Sequence, residues 1–390
     1  MRTAAPRLRL WAPALVVYAI SRIYSTALLL VAYGLGRDHT FAFGSPRGPR
    51  SFLSFLDFLS AWDGTYYRSI ALHGYPSELP HFADGSVEPN QWAFLPLFPL
   101  LARGLTTATT LNVDAAGILL SIVCGALATV VLARLVAPRV GERAATWTAA
   151  FFAFGPAAFV LQLPYAESLF CLLIFGCLVA MVTRRYLLVA VLGVFAAFTR
   201  PGELAISLAL GILFLIRLRD RDTFPVAERA RMLAAGVVTG LAGLAWPVIA
   251  GIVTGVPNAY VETELSWWTG FVGHAAFVPF TPWFLLAGRW LGILGLIAVI
   301  VVLAFAGWLM WRRTVREFEP AIRWFSFSYL IYLVGVLLPQ QSVVRMLMPL
   351  SPILGVPWIS TSRARRRALL TICIVLQPVS VLLLWLVGYP

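Results

Sequence analysis

The sequence predicts an all-α polytopic membrane protein with about eleven transmembrane helices and a long first outer loop. Three observations predict this class. Of the 390 residues, 60% are hydrophobic and only 12% are charged, which is too few polar groups to cover a soluble protein of this length. Several apolar runs approach the roughly 20 residues that a helix needs to cross hydrocarbon. The Arg residues cluster in short segments between these runs, as in cytoplasmic loops.

Turn signals and Arg clusters divide the apolar runs into predicted spans. Their limits are residues 10–35, 114–137, 144–163, 166–183, 186–199, 203–217, 231–255, 290–311, 322–338, 343–360 and 368–387. The first run is longer than a signal-peptide core and has no clear small-residue cleavage site, so we expect it to be retained. We expect residues 1–390 to form a single integral membrane domain.

The distribution of charge predicts that the N-terminus is cytoplasmic and the C-terminus lies outside. In this orientation 21 of the 30 basic residues, all of them Arg, face the cytoplasm together with only six of the 17 acidic residues. Basic residues in short flanking loops set the orientation of membrane proteins. The cytoplasmic Arg clusters fall within residues 2–9, 134–143, 184–185, 217–231, 312–323 and 363–367.

This orientation places two long loops outside, residues 36–113 and 256–289, and long loops often carry function. Both are rich in aromatic residues, which predicts either a belt at the membrane interface or a platform for a sugar or an isoprenoid chain. Within the first loop, Ala93–Leu105 is apolar but short for a span. Counting it as a crossing would move the later Arg clusters outside, so we predict a re-entrant or surface-lying helix.

Asp63 is the acid in the first outer loop most suited to catalysis. It lies in the segment Ala61–Tyr75, AWDGTYYRSIALHGY, just after an amphipathic stretch. A carboxylate among aromatic residues near the membrane loses hydration, which raises its pKa, whereas an opposing Arg lowers it again. Such tuning suits a general base. The alternative is that Asp63 caps a helix beginning near Gly64.

Glu167 lies just inside the outer end of a predicted span, in the segment LPYAESLF. An acid this close to hydrocarbon normally faces a cavity or a partner. The partner would be an Arg, or the carboxylate would sit at the N-terminus of the following helix, where the helix dipole favours negative charge. The sequence leaves a functional role and a capping role open.

Three Arg residues on the outer side are candidates for holding a lipid phosphate. Arg200 and Arg345 are isolated basic residues close to apolar helices, and a guanidinium fork fits phosphate oxygens. The alternative is snorkelling to lipid head groups or, for Arg200, pairing with Glu203. Arg68, about one helical turn beyond Asp63, is the third candidate and alternatively pairs with that acid.

Other chemistries lack a motif. His73 and His81 show no carboxylate or Cys spacing that would make a metal site, and the four cysteines lie inside apolar runs. No glycine loop that cradles phosphates is present, which argues against a nucleotide as direct substrate. The positive net charge is explained by the Arg clusters of the cytoplasmic loops, so we predict no nucleic-acid partner. Since no motif for a cofactor or a metal is present, we predict neither.

Several ordered segments together resemble the PIG-V-type mannosyltransferases, relatives of GPI mannosyltransferase 2 in the GT-C superfamily. Trp62-Asp63 followed by Tyr67, the His73-Gly74-Tyr75 step and AFLPLFP at 93–99 are similar to the family's first outer loop. YAESLF at 165–170 is similar to the family's YTESLF. Arg200 and Arg345 stand where the family has Arg, although the residues after Arg200 depart from its pattern. The resemblance covers residues 55–205, with weaker agreement to about 357.

The resemblance implies a GT-C fold of many membrane helices, with the active site on the outer face of the plasma membrane. It implies a polyprenyl-phosphate-linked sugar donor, expected to carry mannose, with Asp63 as catalytic base and Arg200, Arg345 and Arg68 near the donor phosphate. The sugar or the acceptor would be bound or oriented by Glu167, Trp62, Tyr67, Tyr165 and His73. Arg-only usage with abundant Ala, Gly and Pro indicates a bacterial chain, for which the acceptor would be a glycolipid or another envelope molecule. The alternatives are a lipid-linked glycan flippase or transporter, and an inactive scaffold of an envelope-synthesis complex.

Overall fold

The structure is a computed structural model that describes residues 11–38, 51–220 and 222–388. Within these ranges the chain forms helices and connecting turns, without a β-strand. The predicted all-helical class is therefore confirmed. The predicted Arg clusters at residues 2–9 and, in part, 217–231 include positions that lie outside the described residues, namely Arg2, Arg7, Arg9 and Arg221.

Eighteen α-helices are described. The first nine are α1 (Trp11–Gly36), α2 (Phe55–Leu59), α3 (Asp63–His73), α4 (Leu97–Ala108), α5 (Val113–Val140), α6 (Glu142–Ala153), α7 (Glu167–Val182), α8 (Tyr186–Ala197) and α9 (Leu204–Arg217). The others are α10 (Val226–Thr254), α11 (Ala259–Ser266), α12 (Thr269–Val272), α13 (Pro282–Trp311), α14 (Arg313–Arg316), α15 (Pro320–Val336), α16 (Val343–Met346), α17 (Pro357–Ser360) and α18 (Arg363–Val381). Short 3₁₀ helices cover Gln91–Ala93, Ala158–Gln162 and Met348–Gly355, and a π-helical segment, Leu382–Val387, extends α18.

Among the described residues, five helices are long and apolar enough to cross a membrane: α1, α5, α10, α13, and α18 with its extension. Each coincides with a predicted span. Helices α7, α8, α9 and α15 are apolar but shorter, at 10–17 residues. The lengths and composition of these helices are thus those of a polytopic membrane protein. That the chain crosses the membrane eleven times stays a prediction.

Helix α13 shows why these helices belong in hydrocarbon. Its most apolar stretch has a mean hydropathy of 2.8, yet only 17% of that stretch is buried. Large side chains such as Ile293, Leu294 and Phe305 point away from the rest of the protein. Exposed apolar surface on this scale is unfavourable in water and favourable against lipid chains.

Two predicted spans are not continuous helices. Residues 144–163 form α6, a turn at Gly155-Pro156 and a 3₁₀ helix, because proline lacks the N–H that would continue the helix. Residues 343–360 break into α16, a 3₁₀ helix and α17. That region contains Pro349, Pro352 and Pro357, which interrupt helical hydrogen bonding in the same way.

The predicted outer loops differ in how well their limits agree with the helices. The first, 36–113, runs from the end of α1 to the start of α5, whereas the second, 256–289, includes the first turns of α13. That helix begins at Pro282, an N-terminal position that suits proline's fixed φ. The apolar segment predicted at Ala93–Leu105 forms α4, which buries one face and exposes the other, including Leu100 and Leu101.

Hydrogen bonds from the first loop to α11, α10 and the end of α8 position the candidate site. The side chain of Asn90 donates a hydrogen bond to Thr263 Oγ1 over 3.1 Å, which joins the first loop to α11. The indole N–H of Trp246 on α10 donates to the Trp92 carbonyl over 3.0 Å. The backbone N–H of Leu97 donates to the Phe198 carbonyl, so α4 is tied to the end of α8.

Candidate active site

Four charged side chains that are far apart in the sequence meet in one buried cluster. Arg345 Nη1 lies 2.5 Å from Asp63 Oδ2 and 2.8 Å from Glu167 Oε1. Arg200 Nη1 donates to the same Glu167 oxygen. All four residues are at most 9% exposed. Two acids and two Arg residues make the cluster neutral overall, which offsets part of the cost of burying its charges.

Asp63 is held at the start of α3 by an unusual turn. Trp62, immediately before it, has φ +58° and ψ −119°, a backbone conformation that residues other than glycine rarely adopt. The Asp63 N–H donates to the Tyr165 hydroxyl over 3.2 Å, and that hydroxyl donates to the Ala61 carbonyl over 3.0 Å. Strained backbone of this kind is stored at functional sites when the surroundings hold it in place.

Asp63 does not cap α3, so the structure does not bear out the capping role considered as its alternative. The residue in the N-cap position is Trp62, and no side chain caps the helix. Asp63 belongs to the first turn, and its carboxylate points to Arg345 instead. An acid in the first turn is still favoured by the helix dipole.

Tyr165 lies just before α7, and Glu167 lies at its start. Glu167 is the first residue of the helix, and both Arg contacts involve its Oε1. Its Oε2 is buried without a hydrogen-bond partner among the described residues, so it keeps an unused acceptor. The ring of Tyr165 lies 5.6 Å from the Arg345 guanidinium carbon, which adds a cation–π contact.

Arg200 lies in the tight turn between α8 and α9. Gly202 in this turn has φ +119°, and a Cβ there would come within 2.8 Å of the Tyr329 ring. Both the conformation and the close approach require glycine. The second guanidinium nitrogen of Arg200 donates to Met346 Sδ over 2.7 Å, so Arg200 also contacts the residue next to Arg345.

A cavity of about 260 Å³ opens onto this cluster. This is just below the roughly 300–1,000 Å³ of typical small-molecule sites. Polar groups line one part of it: Asp63, Tyr67, Arg200, Tyr260, Glu264, Gln340, Ser342 and Arg345. The rest is apolar or aromatic, including Phe94, Val261, Leu265, Trp267, Trp268, Phe277, Leu333, Val336, Leu337 and Leu338. The cavity is therefore amphipathic, with buried charge at one wall.

Burial and neighbouring charge tune two acids in this cavity. Burial raises the pKa of the Asp63 carboxyl above its ordinary value, and the Arg345 guanidinium acts in the opposite direction. Burial also raises the pKa of Glu264 to about 7, opposed by a hydrogen bond from Tyr260 and by the charge of Arg200. Raised carboxyl pKa values in a cavity are typical of functional sites.

The remaining predicted site residues are divided by the structure. Tyr67 lines the cavity, and its ring packs against Phe94, Phe98 and Tyr165. Trp62 and Tyr165 are buried and do not line the cavity. His73 is exposed at the end of α3 and does not line the cavity.

Arg68 pairs with acids on α2 and α5 and not with Asp63. Its Nε lies 2.8 Å from Asp114 Oδ1 on α5, and its Nη2 lies 3.6 Å from Asp57 Oδ1 on α2. It does not line the cavity or contact Asp63. One helical turn separates Arg68 from Asp63 in the sequence, but Asp63 turns towards Arg345 while Arg68 faces the α2 and α5 side.

Glu264 and Tyr260 are cavity residues that sequence reasoning did not single out. They lie on α11 in the predicted second outer loop, which is rich in aromatic residues. The available signal was an acid a few positions before Trp267-Trp268 in a loop predicted to be outside. Spacing gave no reason to prefer Glu264 over Glu262 on the same helix.

Within the described part of the chain, no group of three or more His, Cys, Asp and Glu side chains is arranged to hold a metal ion. Comparison with known proteins gave no match, either to a protein-family model or to a curated protein. The geometry of the cavity is therefore the basis for a functional assignment.

Proposed function

We propose that the chain is an inverting glycosyltransferase of the GT-C type. It would move a sugar, mannose by the family resemblance, from a polyprenyl-phosphate donor to a glycolipid or other envelope acceptor. The observation that carries the proposal is the amphipathic cavity, which is lined by the buried charges of Asp63, Arg200 and Arg345 and by many apolar and aromatic side chains. A lipid phosphate carrying a sugar has the matching combination of charge, hydroxyl groups and apolar chain.

The proposal includes a placement in the membrane. The chain would cross the plasma membrane eleven times, with its N-terminus in the cytoplasm and the cavity at the outer face. The distribution of Arg residues supports this orientation. The four charged residues of the cluster lie at a helix start, in a turn between helices or in a short helix, which suits a site at one membrane surface.

The reaction would proceed in one displacement. Asp63 takes the proton of an acceptor hydroxyl, whose oxygen bonds to the anomeric carbon of the sugar. The bond from that carbon to the phosphate oxygen breaks, and its electron pair leaves with the phosphate. Attack from the opposite face inverts the anomeric configuration. A phosphodiester with one negative charge becomes a monoester with two.

The two Arg residues would stabilise this additional charge. Both guanidinium groups line the cavity and are held by buried carboxylates, so their positions are set before the donor binds. Arg345 would also keep Asp63 ionised in the empty site, because its guanidinium group pairs with that carboxylate. Glu167 does not line the cavity, and its proposed role is to hold the two guanidinium groups in place.

The test uses purified protein with polyprenyl-phosphate mannose and a panel of glycolipid acceptors. Release of mannose to water serves as a readout that needs no acceptor. We expect Asp63→Asn to lower the rate by about 10²- to 10⁴-fold, the usual contribution of a general base. Asp57→Asn, an acid of the same loop that does not line the cavity, is the matched control and should keep the wild-type rate. Full activity in Asp63→Asn would exclude the base role.

Arg200→Ala and Arg345→Ala should weaken donor use because each removes a charge from the cavity wall. Arg68→Ala is the matched control, since Arg68 pairs with Asp114 and does not line the cavity. We expect a raised KM for the donor in the two cavity variants and a smaller change in Arg68→Ala. Equal effects in all three would argue against phosphate binding by the cavity Arg residues.

The same protein in liposomes separates the alternatives. A labelled lipid-linked sugar that changes leaflet without transfer or hydrolysis would favour a flippase. Neither movement nor reaction, with donor binding retained, would favour a scaffold.

A further inference from the structure

A second cavity lies where α6 and α18 begin. Its volume is about 180 Å³, and it is lined by Arg143, Trp147, Arg363, Arg366 and Arg367. It shares no lining residue with the cavity around Asp63. Four of its five lining residues carry a positive charge, and none carries a negative one.

The four guanidinium groups have no acidic partner among the described residues. In the parts of the chain that the structure describes, none of them forms an ion pair with a carboxylate within 4.0 Å. Other exposed Arg residues do form such pairs, for example Arg313 with Glu317 and Arg139 with Glu319. Like charges that converge on one pocket repel each other unless an anion lies between them.

The helix ends make this concentration of positive charge more costly. Arg143 is in the first turn of α6, and Arg363 is the first residue of α18. Helix N-termini carry a partial positive charge and unpaired N–H groups, which favour anions and disfavour Arg. An anion in the pocket would therefore be stabilised by both helix starts and by the side chains.

Arg366 is built into the pocket rather than projecting into solvent. It is 7% exposed, and its Nη1 donates to the Ser360 carbonyl. Its guanidinium carbon lies 5.5 Å from the centre of the Trp147 ring. Its Nε is buried and has no hydrogen-bond partner among the described residues. A buried donor left without a partner is unfavourable, and a ligand oxygen would satisfy it.

The position of the pocket indicates where its ligand comes from. Helix α18 is one of the five described helices able to cross a membrane, and its Arg-rich first residues immediately precede its apolar part. The start of a membrane span lies at the level of the lipid head groups. Trp147 and the Trp358 ring, which lies 4.7 Å from the Arg365 guanidinium carbon, are aromatic residues typical of this level.

We propose that this pocket binds a phosphate group, with Arg366 as the fixed donor and Arg143, Arg363 and Arg367 closing around the oxygens. The guanidinium fork matches phosphate geometry, and basic pockets between membrane helices bind anionic head groups. The phosphate belongs either to an anionic lipid or to a free phosphate ion. The site is independent of the proposed sugar transfer.

The experiment measures ligand-dependent thermal unfolding of the full chain in neutral detergent. The probes are phosphatidylglycerol, phosphatidylcholine and inorganic phosphate, each titrated into wild type, Arg366→Gln and the double variant Arg363→Gln/Arg367→Gln. The double variant changes two exposed residues, so it should fold even if Arg366→Gln does not. The matched control is Arg185→Gln/Arg219→Gln, which removes the same charge at exposed positions outside the pocket.

We expect phosphatidylglycerol to raise the unfolding temperature of wild type and of the control, with phosphatidylcholine having no comparable effect. In the double variant the half-maximal concentration should rise at least about tenfold, because two guanidinium contacts with phosphate are lost. Stabilisation by inorganic phosphate alone, lost in the same variant, would support the site with a free ion as its source. Equal phosphatidylglycerol responses in the double variant and the wild type, or equal losses in the double variant and the control, would overturn the proposal.

Discussion

Arg345 and Asp63 are 282 residues apart in the sequence, and their side chains form a buried ion pair with a separation of 2.5 Å. Arg345 also binds Glu167, so one guanidinium joins α3, α7 and α16. The pair brings the first outer loop and a late segment of the chain to one place. Removing this ion pair therefore tests how much it contributes to the stability of the fold and to the arrangement of the site.

The first prediction is that Asp63 and Arg345 are energetically coupled. Arg345→Met leaves a buried carboxylate without its partner, which typically costs about 3–5 kcal/mol. The double variant Asp63→Asn/Arg345→Met should lose clearly less stability than the sum of the two single variants. Unfolding of each protein in the same detergent measures the coupling.

A control cycle uses Arg313 and Glu317, whose side chains lie 2.7 Å apart and are 80% and 63% exposed. Exposed pairs contribute only about 0.2–1 kcal/mol, so their coupling should be smaller. Additive effects of Asp63→Asn and Arg345→Met would show that the buried pair does not stabilise the fold.

The second prediction concerns the backbone before Asp63. Trp62 has a positive φ, which glycine adopts at little cost and other residues adopt with strain. Trp62→Gly and Trp62→Ala both lose the buried indole, so their comparison isolates the backbone. We expect Trp62→Gly to be more stable by about 1 kcal/mol or more, the reverse of the usual order for these residues. A more stable Trp62→Ala would show that the turn relaxes.

The third prediction is a pH dependence due to Glu264. Its pKa in the folded protein is about 7, above the ordinary value of 4.5, so the folded state holds this proton more tightly than the unfolded state. The resulting stabilisation is complete below about pH 4.5 and is lost as the pH rises through about 7.

Thermal unfolding of wild type and Glu264→Gln across this range tests the assignment. The unfolding temperature of wild type minus that of the variant should fall between pH 4.5 and 7 and be level above about 8. A difference that does not change with pH would mean that Glu264 does not carry the raised pKa.

The helices were predictable because apolar runs of sufficient length have few alternatives. All five helices able to span a membrane lie on runs identified from the sequence. The break at 343–360 shows the limit of this approach. Hydropathy defined one apolar run there, whereas the prolines at 349, 352 and 357 break its helical hydrogen bonding.

The site was predictable only as a set of separate residues. Asp63, Glu167, Arg200 and Arg345 could each be singled out as a charge near the outer end of an apolar segment. Their contacts depend on how α3, α7, α16 and the turn between α8 and α9 pack, which no local pattern encodes. Arg68 shows the consequence, since its partner Asp114 is 46 residues away on α5. Glu264 was missed because its role arises only when α11 folds over the cavity.

The fourth prediction is the orientation of the chain, on which the placement of the proposed active site depends. Single cysteines at Ala83 in the first loop and at Asp222 between α9 and α10 are suitable reporters, because both positions are exposed. All four native cysteines are buried, so background labelling should be low. A membrane-impermeant maleimide added to intact cells should label position 83 and reach position 222 only after the membrane is opened.

Labelling of position 222 alone in intact cells would reverse the orientation and put the Asp63 cavity on the cytoplasmic side. Labelling of both in intact cells would mean that an even number of crossings separates the two positions, which contradicts the five predicted spans between them.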